Sequence, residues 1–285
     1  MEVSVIVIAY NEQAYIKKCL TAILNQTFSD FELLIIDDGS TDETASVVKS
    51  IHDERIRYIR NNKNYGVVKS RNIGIENAKG KYIFFTDADC VPIKYWLEEG
   101  LKIFKEKRCV GVEGRIFYAT ARVTISDRIV EHLEGCCHDT GNVAYKKEIP
   151  DKVKGFDPEF KFAHEDQDLA YRILKHGEIT FSEDMIVVHQ RKKYTIRRLF
   201  RDAKRAKDSV HLIKKYPDYH NTNIIWWRII HPKKLLILLC PFLLILYHSF
   251  RSWQDVKLIP FIYLNAVYLR FIVWKAAIKE KILIV

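Results

Sequence analysis

The chain has 285 residues, of which 48% are hydrophobic and 29% are charged. These values describe a globular protein with one sizeable core and exclude an intrinsically disordered chain. Six cysteines are scattered without the spacing of a disulfide framework, and no basic, cleavable leader precedes the first apolar run. We therefore expect the folded part of the chain to lie in a reducing cytoplasm.

The net charge of +10 is concentrated in one segment of the chain. Residues 190–234 contain 14 Lys or Arg and 3 Asp or Glu. A basic segment of this kind is typical of contact with nucleic acid, with an anionic membrane surface or with a phosphorylated substrate. The residues that follow are apolar, and this favours the membrane surface.

Two apolar stretches follow the basic segment. Residues 235–247 carry no charge, and residues 258–274 are interrupted by Pro260, Asn265 and Arg270. Each stretch is shorter than the roughly 20 residues of a simple membrane span. We expect helices that lie on a membrane or enter it, and a pair of buried core helices is the alternative.

Strands and helices alternate in the first part of the chain, where continuous β-branched runs are followed by apolar residues at helical spacing. The predicted strands are residues 3–9, 31–36, 56–59 and 82–86. A helix follows each of the first three, and the second is expected to open at Ser40 with Glu43 completing a capping box. This alternation predicts a parallel, doubly wound sheet with right-handed crossovers.

The pattern becomes mixed between residues 92 and 190. Apolar spacing predicts two helices, near residues 96–104 and 165–176. It also predicts three strands, near residues 110–118, 142–145 and 179–188. We expect these strands to extend the same sheet.

Polar residues follow three of the predicted strands at their carboxyl ends. They are Tyr10, Asn11 and Glu12 after the first strand, Asp37 and Asp38 after the second, and Asp87 and Asp89 after the fourth. Ligands of open parallel sheets bind at this edge, so one crevice is expected to collect all three groups. The carboxylates of Asp87 and Asp89 suit Mg²⁺ or Mn²⁺.

Asp37 and Asp38 have two interpretations from the residues alone. They could begin a turn, with Gly39 giving the backbone freedom and Ser40 capping the next helix. Alternatively, two adjacent carboxylates require hydrogen-bond donors, and a base N–H and ribose hydroxyls would supply them.

Four segments in this order, VSVIVIAYNE, LLIIDDGSTDET, NYGVVKSRNIG and GKYIFFTDAD, resemble glycosyltransferase family 2 of the GT-A fold. The resemblance continues through KGFDPEF, HEDQDLAYRILKHG and VVHQR and covers residues 3–191. It implies a Rossmann-like, mostly parallel α/β sheet with helices on both faces. It also implies a metal-dependent, inverting transfer of a sugar from a nucleotide diphosphate to an acceptor hydroxyl, with Mn²⁺ or Mg²⁺ as cofactor.

The resemblance assigns roles to residues of this chain. The nucleotide sugar is expected to contact Ala9, Tyr10, Asn11, Glu12, Asp37, Asp38, Arg71, Asp87 and Ala88. The metal is expected at Asp87, Asp89 and His189, with Asp89 as the more direct ligand.

The family pattern also makes Asp166 the general base, because inversion needs a carboxylate opposite the leaving diphosphate. Glu165 and Asp168 remain alternatives from the sequence, since the helix that carries them cannot be oriented. Gly141 and Asn142 are expected on the acceptor side.

The expected organisation is a GT-A catalytic domain at residues 1–190, a basic helical linker at 191–234 and an apolar, membrane-associated helical region at 235–285. The catalytic domain would comprise a nucleotide-sugar half, residues 1–91, and an acceptor half, residues 92–190. We expect it on the cytoplasmic face of the cell membrane, acting on a lipid-linked or cell-surface glycan. The residues after His189 lack the Q-x-x-R-W motif of processive relatives, which favours addition of a single sugar.

The donor favoured by the sequence is a UDP-sugar, and transfer from GDP-mannose to a dolichyl or polyprenyl phosphate is the alternative. Nucleotidyl transfer is disfavoured because the loop after the first strand is not glycine-rich and basic. A nucleic-acid-binding protein would leave the apolar segments unexplained, so no nucleic acid is expected as partner. A zinc site is also disfavoured, since its candidate ligands lack zinc spacing: His132, Cys136, Cys137 and His138.

Overall fold

The structure is a computed structural model, and it describes residues 1–120, 124, 127–217 and 253–280. The apolar stretch at residues 235–247 and the end of the basic segment lie outside the described residues. The chain forms two compact units. The first comprises residues 1–119, 130–161 and 165–190, and the second comprises residues 120–129, 162–164 and 191–285.

The strands and helices are numbered in chain order. The strands are β1 Val3–Ala9, β2 Phe31–Asp37, β3 Ile56–Arg60, β4 Tyr82–Asp87, β5 Cys90–Pro92, β6 Gly111–Tyr118, β7 Asp127–Arg128, β8 Val143–Lys146, β9 Ile179–His189 and β10 Lys192–Lys193. The helices are α1 Ile16–Leu24, α2 Thr44–Lys49, α3 Val67–Asn77, α4 Trp96–Glu106, α5 Glu148–Lys152, α6 Glu165–Ile173, α7 Ile196–Ala203, α8 Arg205–Lys215 and α9 Trp253–Glu280.

The first unit is built on an eight-stranded sheet in the order β3-β2-β1-β4-β8-β6-β9-β5. The first four of these strands are parallel to one another, and β6 is parallel to β9. Strand β8 runs antiparallel to both of its neighbours, and β5 runs antiparallel to β9. The predicted α/β fold with a mostly parallel sheet is therefore confirmed.

Helices cover the sheet on both faces, which explains why β1 is apolar at nearly every position. Alternate residues of a strand point to opposite faces, so each face needs its own apolar partners. One buried cluster joins β1 to α1 and α4 and includes Val5, Val7, Leu20 and Leu97. The other joins β1 and β2 to α3 and α6 and includes Ile6, Leu34, Ile75 and Leu169.

The capping box predicted at Ser40 and Glu43 is wrong. Helix α2 begins at Thr44, and Glu43 makes no side-chain cap hydrogen bond. The backbone N–H of Thr44 donates instead to Oδ1 of Asp42, at 3.0 Å. Ser40 belongs to the preceding turn, because its N–H donates to Asp37 and its hydroxyl accepts a hydrogen bond from Asn11.

In the second unit, α9 is one continuous helix of 28 residues that includes Pro260. The helix extends beyond the apolar stretch of residues 258–274 at both ends, and Pro260 does not end it. Among the described residues, one helical segment is long and apolar enough to cross a membrane, Lys257–Glu280 with a mean hydropathy of 1.4. Helix α9 also packs against α7 and α8. The length and composition of α9 are therefore also those of a core helix in a soluble protein.

Candidate active site

The sheet register brings the predicted strand-end residues to one edge. Ala9 pairs with Asp37 across β1 and β2, and Ile8 pairs with Asp87 across β1 and β4. The three strands therefore end side by side, and the loops after them share the crevice at their carboxyl ends.

Asp37 is completely buried and has its hydrogen bonds supplied by the chain. Its Oδ1 accepts from the N–H of Ser40 at 2.8 Å, and its Oδ2 accepts from the Tyr58 hydroxyl. Burial and this hydrogen bond raise the pKa of the Tyr58 hydroxyl, so it stays protonated as a donor. Asp37 thus secures the turn after β2, and its contact with a nucleotide stays a prediction.

Asp38 is also buried, and it organises the turn that precedes α3. Its Oδ1 accepts from Nδ2 of Asn61 at 2.9 Å and from the N–H of Tyr65 at 2.8 Å. Its Oδ2 accepts from the N–H of Gly66 at 2.9 Å, and Gly66 has a φ of 93° that favours glycine. The donors that we expected from a base and ribose are therefore present within the protein for both carboxylates.

The loop after β1 is tied to the loop after β2. Asn11 adopts a φ of 56°, its N–H donates to the Ser40 hydroxyl, and its Oδ1 accepts from the N–H of Thr41 at 2.8 Å. The N–H of Glu12 donates to the Thr44 hydroxyl at 2.8 Å. These contacts hold a rigid rim that presents the half-exposed ring of Tyr10.

Arg71 of α3 connects the strand-end residues to α6. Its guanidinium is buried, with Nη1 at 2.6 Å from Oε1 of Glu165 and Nη2 at 3.4 Å from Oδ1 of Asp87. The Phe156 ring lies against the same guanidinium, with its centroid 5.5 Å from Cζ. Arg71 therefore places a fixed positive charge beside Asp87, as the prediction of a diphosphate contact requires.

Asp89 and His189 are brought together by pairing between β5 and β9. Nε2 of His189 lies 3.4 Å from Oδ2 of Asp89, and both side chains are buried. Nδ1 of His189 lies 2.9 Å from the carbonyl oxygen of Gln190, which can only accept a hydrogen bond. Nδ1 therefore donates a hydrogen bond to this oxygen, and Nε2 faces the Asp89 carboxylate.

These residues fit a divalent cation. Asp89 provides a carboxylate oxygen and His189 provides an imidazole nitrogen within 4.8 Å of each other, donors that Mn²⁺ accepts well and that Mg²⁺ accepts through the oxygen. Asp87 is not among the described residues whose ligand atoms all lie within that distance, so its place in the metal set stays a prediction. The neighbouring carboxylates also carry more negative charge than Arg71 neutralises. A cation would satisfy that imbalance.

Cys90 stands next to this set, although no sequence pattern singled it out. Its side chain is completely buried, and burial with the nearby Asp89 and Asp87 carboxylates raises the pKa of the thiol well above its usual value. The ligand atoms of Asp89, Cys90 and His189 all lie within 4.8 Å of one another. Sequence reasoning missed Cys90 because its partner is 99 positions away and is reached only through the β5–β9 pairing.

The three candidate bases at the start of α6 have different surroundings. Asp168 is completely buried and accepts two hydrogen bonds from Arg172, at 2.9 and 2.7 Å. Glu165 is held by Arg71. In the part of the chain that the structure describes, Oδ1 of Asp166 accepts a hydrogen bond from the N–H of Gln167.

Asp166 is also electrostatically distinct. Burial raises the pKa of its carboxyl to about 8, and the carboxylates of Glu165 and Asp139 add to the rise. Arg71 acts in the opposite direction. Asp166 is therefore suited to proton transfer near neutral pH, whereas Glu165 is paired with Arg71 and Asp168 with Arg172.

Asp139 is a second residue that sequence reasoning missed. Its Oδ2 lies 3.2 Å from Nε2 of His132, and its Oδ1 accepts from the N–H of Gly141 at 2.7 Å. These contacts hold the pKa of Asp139 well below its usual range although the side chain is partly buried. Burial would lower the pKa of His132, but the hydrogen bonds to Asp139 and Cys137 raise it to about 10.

The loop before Asp139 is a structural loop, and Glu113 of β6 is its anchor. The buried Glu113 carboxylate accepts from the consecutive N–H groups of Cys136, Cys137 and His138, at 2.9, 2.9 and 2.6 Å. The four residues considered for zinc do not come together among the described residues, where the ligand group is that of Asp89, Cys90 and His189.

Gly141 and Asn142 lie close to the crevice, but the Asn142 side chain serves the sheet. It accepts from Nε1 of Trp96 at 2.7 Å and donates to the carbonyl oxygens of Arg115 and Met185 at 2.7 Å. This completely buried amide therefore joins β8 to its neighbours and to α4. These hydrogen bonds disfavour an acceptor contact through the Asn142 side chain.

Three relatives of the chain are named as glycosyltransferases. An uncharacterized glycosyltransferase of Haemophilus influenzae is 43% identical over 99 residues, which are 34% of this chain and 31% of the relative. Glycosyltransferase AglE of Haloferax volcanii is 37% identical over 103 residues, 35% and 34% of the two chains. An uncharacterized glycosyltransferase of Nostoc sp. is 30% identical over 176 residues, 55% of each chain. The matched part therefore spans about a third to about half of these relatives.

Solved structures share the fold over nearly the whole chain. A mannosyltransferase from Pyrobaculum calidifontis, in complex with GDP-Man and Mn²⁺, has a TM-score of 0.64 and 18% identity, covering 98% of this chain and 87% of its own. S. aureus TarS 1–349, in complex with UDP-GlcNAc, has a TM-score of 0.59 and 16% identity, covering 99% and 93%. At these identities the likeness shows the fold alone, which is of the GT-A type.

A family model for Glycosyl transferase family 2 matches residues 4–166. This range contains the strand-end loops, Arg71, the Asp87 and Asp89 pair and the first two residues of α6. The chain belongs to glycosyltransferase family 2.

Proposed function

We propose that this protein transfers a sugar, with inversion, from a nucleotide diphosphate to an acceptor hydroxyl. The observation that carries the proposal is the placement of Arg71 and Asp166 relative to the carboxylates at the end of β4. One part of the crevice suits a diphosphate and a cation, and another carries a carboxyl with a raised pKa. Inverting transfer needs both parts on opposite sides of the reacting carbon.

The cation side comprises Asp87, Asp89 and His189, which would hold Mn²⁺ or Mg²⁺. Bound there, the cation would neutralise charge on the leaving diphosphate. Arg71 is ordered by Glu165 before any ligand binds, so its positive charge requires little reorganisation when the diphosphate arrives. Glu165 is in this way a positioning residue for Arg71.

On the acceptor side, Asp166 would take the proton from the attacking hydroxyl. A carboxyl with a pKa of about 8 is a far stronger base than an ordinary aspartate. The Asp166 proton would pass to solvent after product release. Asp139 keeps its charge in the same region because His132 holds it, and it would accept hydrogen bonds from sugar hydroxyls.

The donor we propose is a UDP-sugar, with GDP-mannose as the alternative. TarS is described in complex with UDP-GlcNAc, and the Pyrobaculum enzyme in complex with GDP-Man. Both proteins share this fold, so the fold does not discriminate between the two bases. The loops after β1 and β2, and Tyr10 in particular, would contact the base.

The acceptor we propose is a glycan or lipid-linked glycan at the cytoplasmic face of the cell membrane. Support comes from the second unit, where α7 and α8 are basic and α9 is apolar. On α9, the exposed apolar residues recur at spacings of three and four: Leu264, Val267, Phe271, Trp274 and Ile278. They form one stripe that would insert into the interface of a bilayer.

A screen of nucleotide sugars tests the donor and the reaction together. Full-length protein in detergent is incubated with each UDP-sugar and with GDP-mannose, with Mn²⁺ and with a chelator. We expect metal-dependent thermal stabilisation and slow donor hydrolysis for one base class. Stabilisation by free nucleic acid in place of every nucleotide sugar would contradict the proposal.

A further inference from the structure

Cys90 occupies a position that the proposed transfer reaction does not use. The motif that places carboxylates after β4 ends at Asp89, and Cys90 is the first residue of β5. Its thiol is completely buried at the edge of one core cluster, and its Sγ lies 3.9 Å from Oδ1 of Asp89, a residue expected at a cation. The thiol therefore faces the candidate cation site as well as the core.

The geometry of the three side chains is fixed by backbone pairing. Cys90 and His189 are direct partners across the antiparallel β5–β9 pair, so their side chains leave the sheet on the same face. The backbone N–H of Gln190 donates to the carbonyl oxygen of Asp89 at 2.8 Å and holds the third residue in register. Backbone hydrogen bonds therefore fix the relative positions of the three residues.

The three ligand atoms lie within 4.8 Å of one another, and two of the distances between them approach those of a tetrahedral cation site. Nε2 of His189 lies 3.4 Å from Oδ2 of Asp89, and Sγ of Cys90 lies 3.9 Å from Oδ1 of Asp89. Zinc bonds of about 2.0–2.3 Å arranged as a tetrahedron separate ligand atoms by roughly 3.3–3.6 Å. Small side-chain movements would close the set, and the fourth position would remain open to an oxygen ligand.

We propose that Asp89, Cys90 and His189 form a three-ligand site in which a borderline or soft divalent cation, such as Zn²⁺, Co²⁺ or Cd²⁺, recruits the Cys90 thiolate. The donor chemistry supports this assignment, because thiolates select these cations while Mn²⁺ and Mg²⁺ favour oxygen. As the metal–sulfur bond forms, the S–H proton leaves to solvent, and no group is oxidised or reduced. The inference rests on the proposed function only for the location of the cation.

The test is a Co²⁺ titration of the full-length protein in detergent, without nucleotide. Thiolate bound to Co²⁺ gives a near-ultraviolet charge-transfer absorption that oxygen and nitrogen ligands do not give. We expect this absorption to saturate at one equivalent and to disappear when Zn²⁺ is added. Cys90→Ser should abolish it and weaken Zn²⁺ binding by about tenfold or more, or ~1.4 kcal/mol, while Mn²⁺ affinity stays close to that of the wild type.

Cys19→Ser is the matched control, because Cys19 is also a buried cysteine near this site, with Sγ 3.4 Å from the carbonyl oxygen of Asp87. It should keep the absorption. Cys90→Ala, judged by the same spectrum, replaces Cys90→Ser if the serine variant does not fold. Wild-type protein that binds Co²⁺ without the thiolate absorption would overturn the inference, as would an unchanged absorption in either Cys90 variant. Failure of every nucleotide sugar to bind would instead contradict the proposed function and would leave the Co²⁺ spectrum unaffected.

Discussion

Nη1 of Arg71 lies 2.6 Å from Oε1 of Glu165, and this buried ion pair joins α3 to the first turn of α6. The two residues are 94 positions apart in the chain. Because Nη2 of the same guanidinium reaches Asp87, one arginine links the diphosphate side of the crevice to the helix that carries the proposed base.

Removal of one member of this pair is expected to destabilise the protein. Arg71→Met leaves the Glu165 carboxylate buried without its cation, and Glu165→Gln leaves Arg71 with less compensating charge. Loss of one partner of a buried pair costs roughly 3–5 kcal/mol. Urea unfolding in detergent measures this loss, and the double variant should lose less than the two single variants together. Strict additivity would show that the pair is not coupled.

Asp166→Asn should keep donor binding and lose most turnover. The amide has nearly the same shape but cannot accept the hydroxyl proton, and general-base catalysis typically contributes about 10²–10⁴-fold. Donor affinity is measured by calorimetry and turnover by product release. Asp168→Asn is the matched control, since Asp168 accepts hydrogen bonds from Arg172. This variant should lower the free energy of unfolding and leave turnover per folded molecule nearly unchanged. A variant of Asp166 with normal turnover would contradict its role.

The rate should depend on pH through Asp166. A base must be ionised to act, and the pKa of Asp166 in the ligand-free protein is about 8. We therefore expect kcat/KM to rise with pH through about 8 and then to level off. The limb should be absent from the residual rate of Asp166→Asn. A profile that is flat between pH 6 and pH 9, roughly one unit or more on each side of that pKa, would exclude this carboxyl as the titrating group.

The raised pKa of Asp166 also affects stability, which it should favour at low pH, whereas the rate should rise at high pH. A carboxyl whose folded-state pKa lies above its unfolded value of about 3.9 favours folding most below that value. Its contribution is lost as the pH rises toward 8. Asp166→Asn should therefore unfold at a higher urea concentration than the wild type at pH 9, and the difference should shrink at low pH.

Membrane binding should depend on the exposed stripe of α9. Replacement of Leu264, Phe271 and Trp274 by serine removes exposed apolar area from α9. We expect the wild type to float with anionic vesicles at low and high salt, and the triple variant to float at low salt only. Lys275→Ser with Lys279→Ser is the control, and it should alter salt sensitivity alone because charge attraction is screened. A wild type that ignores vesicles would assign α9 to a protein core or interface.

The sheet could be predicted because its signals are local. Val3–Ala9 and Phe31–Asp37 are continuous apolar runs, and their alternation with helical spacing specifies a parallel sheet. The start of α2 was mispredicted because Ser40 has a second use: its hydroxyl accepts from Asn11, 29 positions away, instead of capping a helix. Such competition between local and tertiary hydrogen bonds is not visible in a sequence.

A sequence shows those site residues that lie in one motif and hides those that only strand pairing brings together. Asp87 and Asp89 stand two positions apart at the end of one strand, and His189 was expected beside them from the family resemblance. Cys90 meets His189 only through the β5–β9 register, and Asp139 gains importance only because His132 folds back onto it. The interior role of Asn142 was also hidden, since its three partners come from α4, β6 and β9.

In the proposed reaction, a divalent cation at Asp89 couples nucleotide-sugar binding to transfer. The decisive measurement is the affinity for the donor as a function of Mn²⁺ concentration in the wild type and in Asp89→Asn. We expect Mn²⁺ to strengthen donor binding to the wild type and to have no effect on donor binding to the variant, whose fold should be preserved because asparagine has the same shape. An Asp89→Asn protein that responds to Mn²⁺ as the wild type does would rule out Asp89 as the cation ligand.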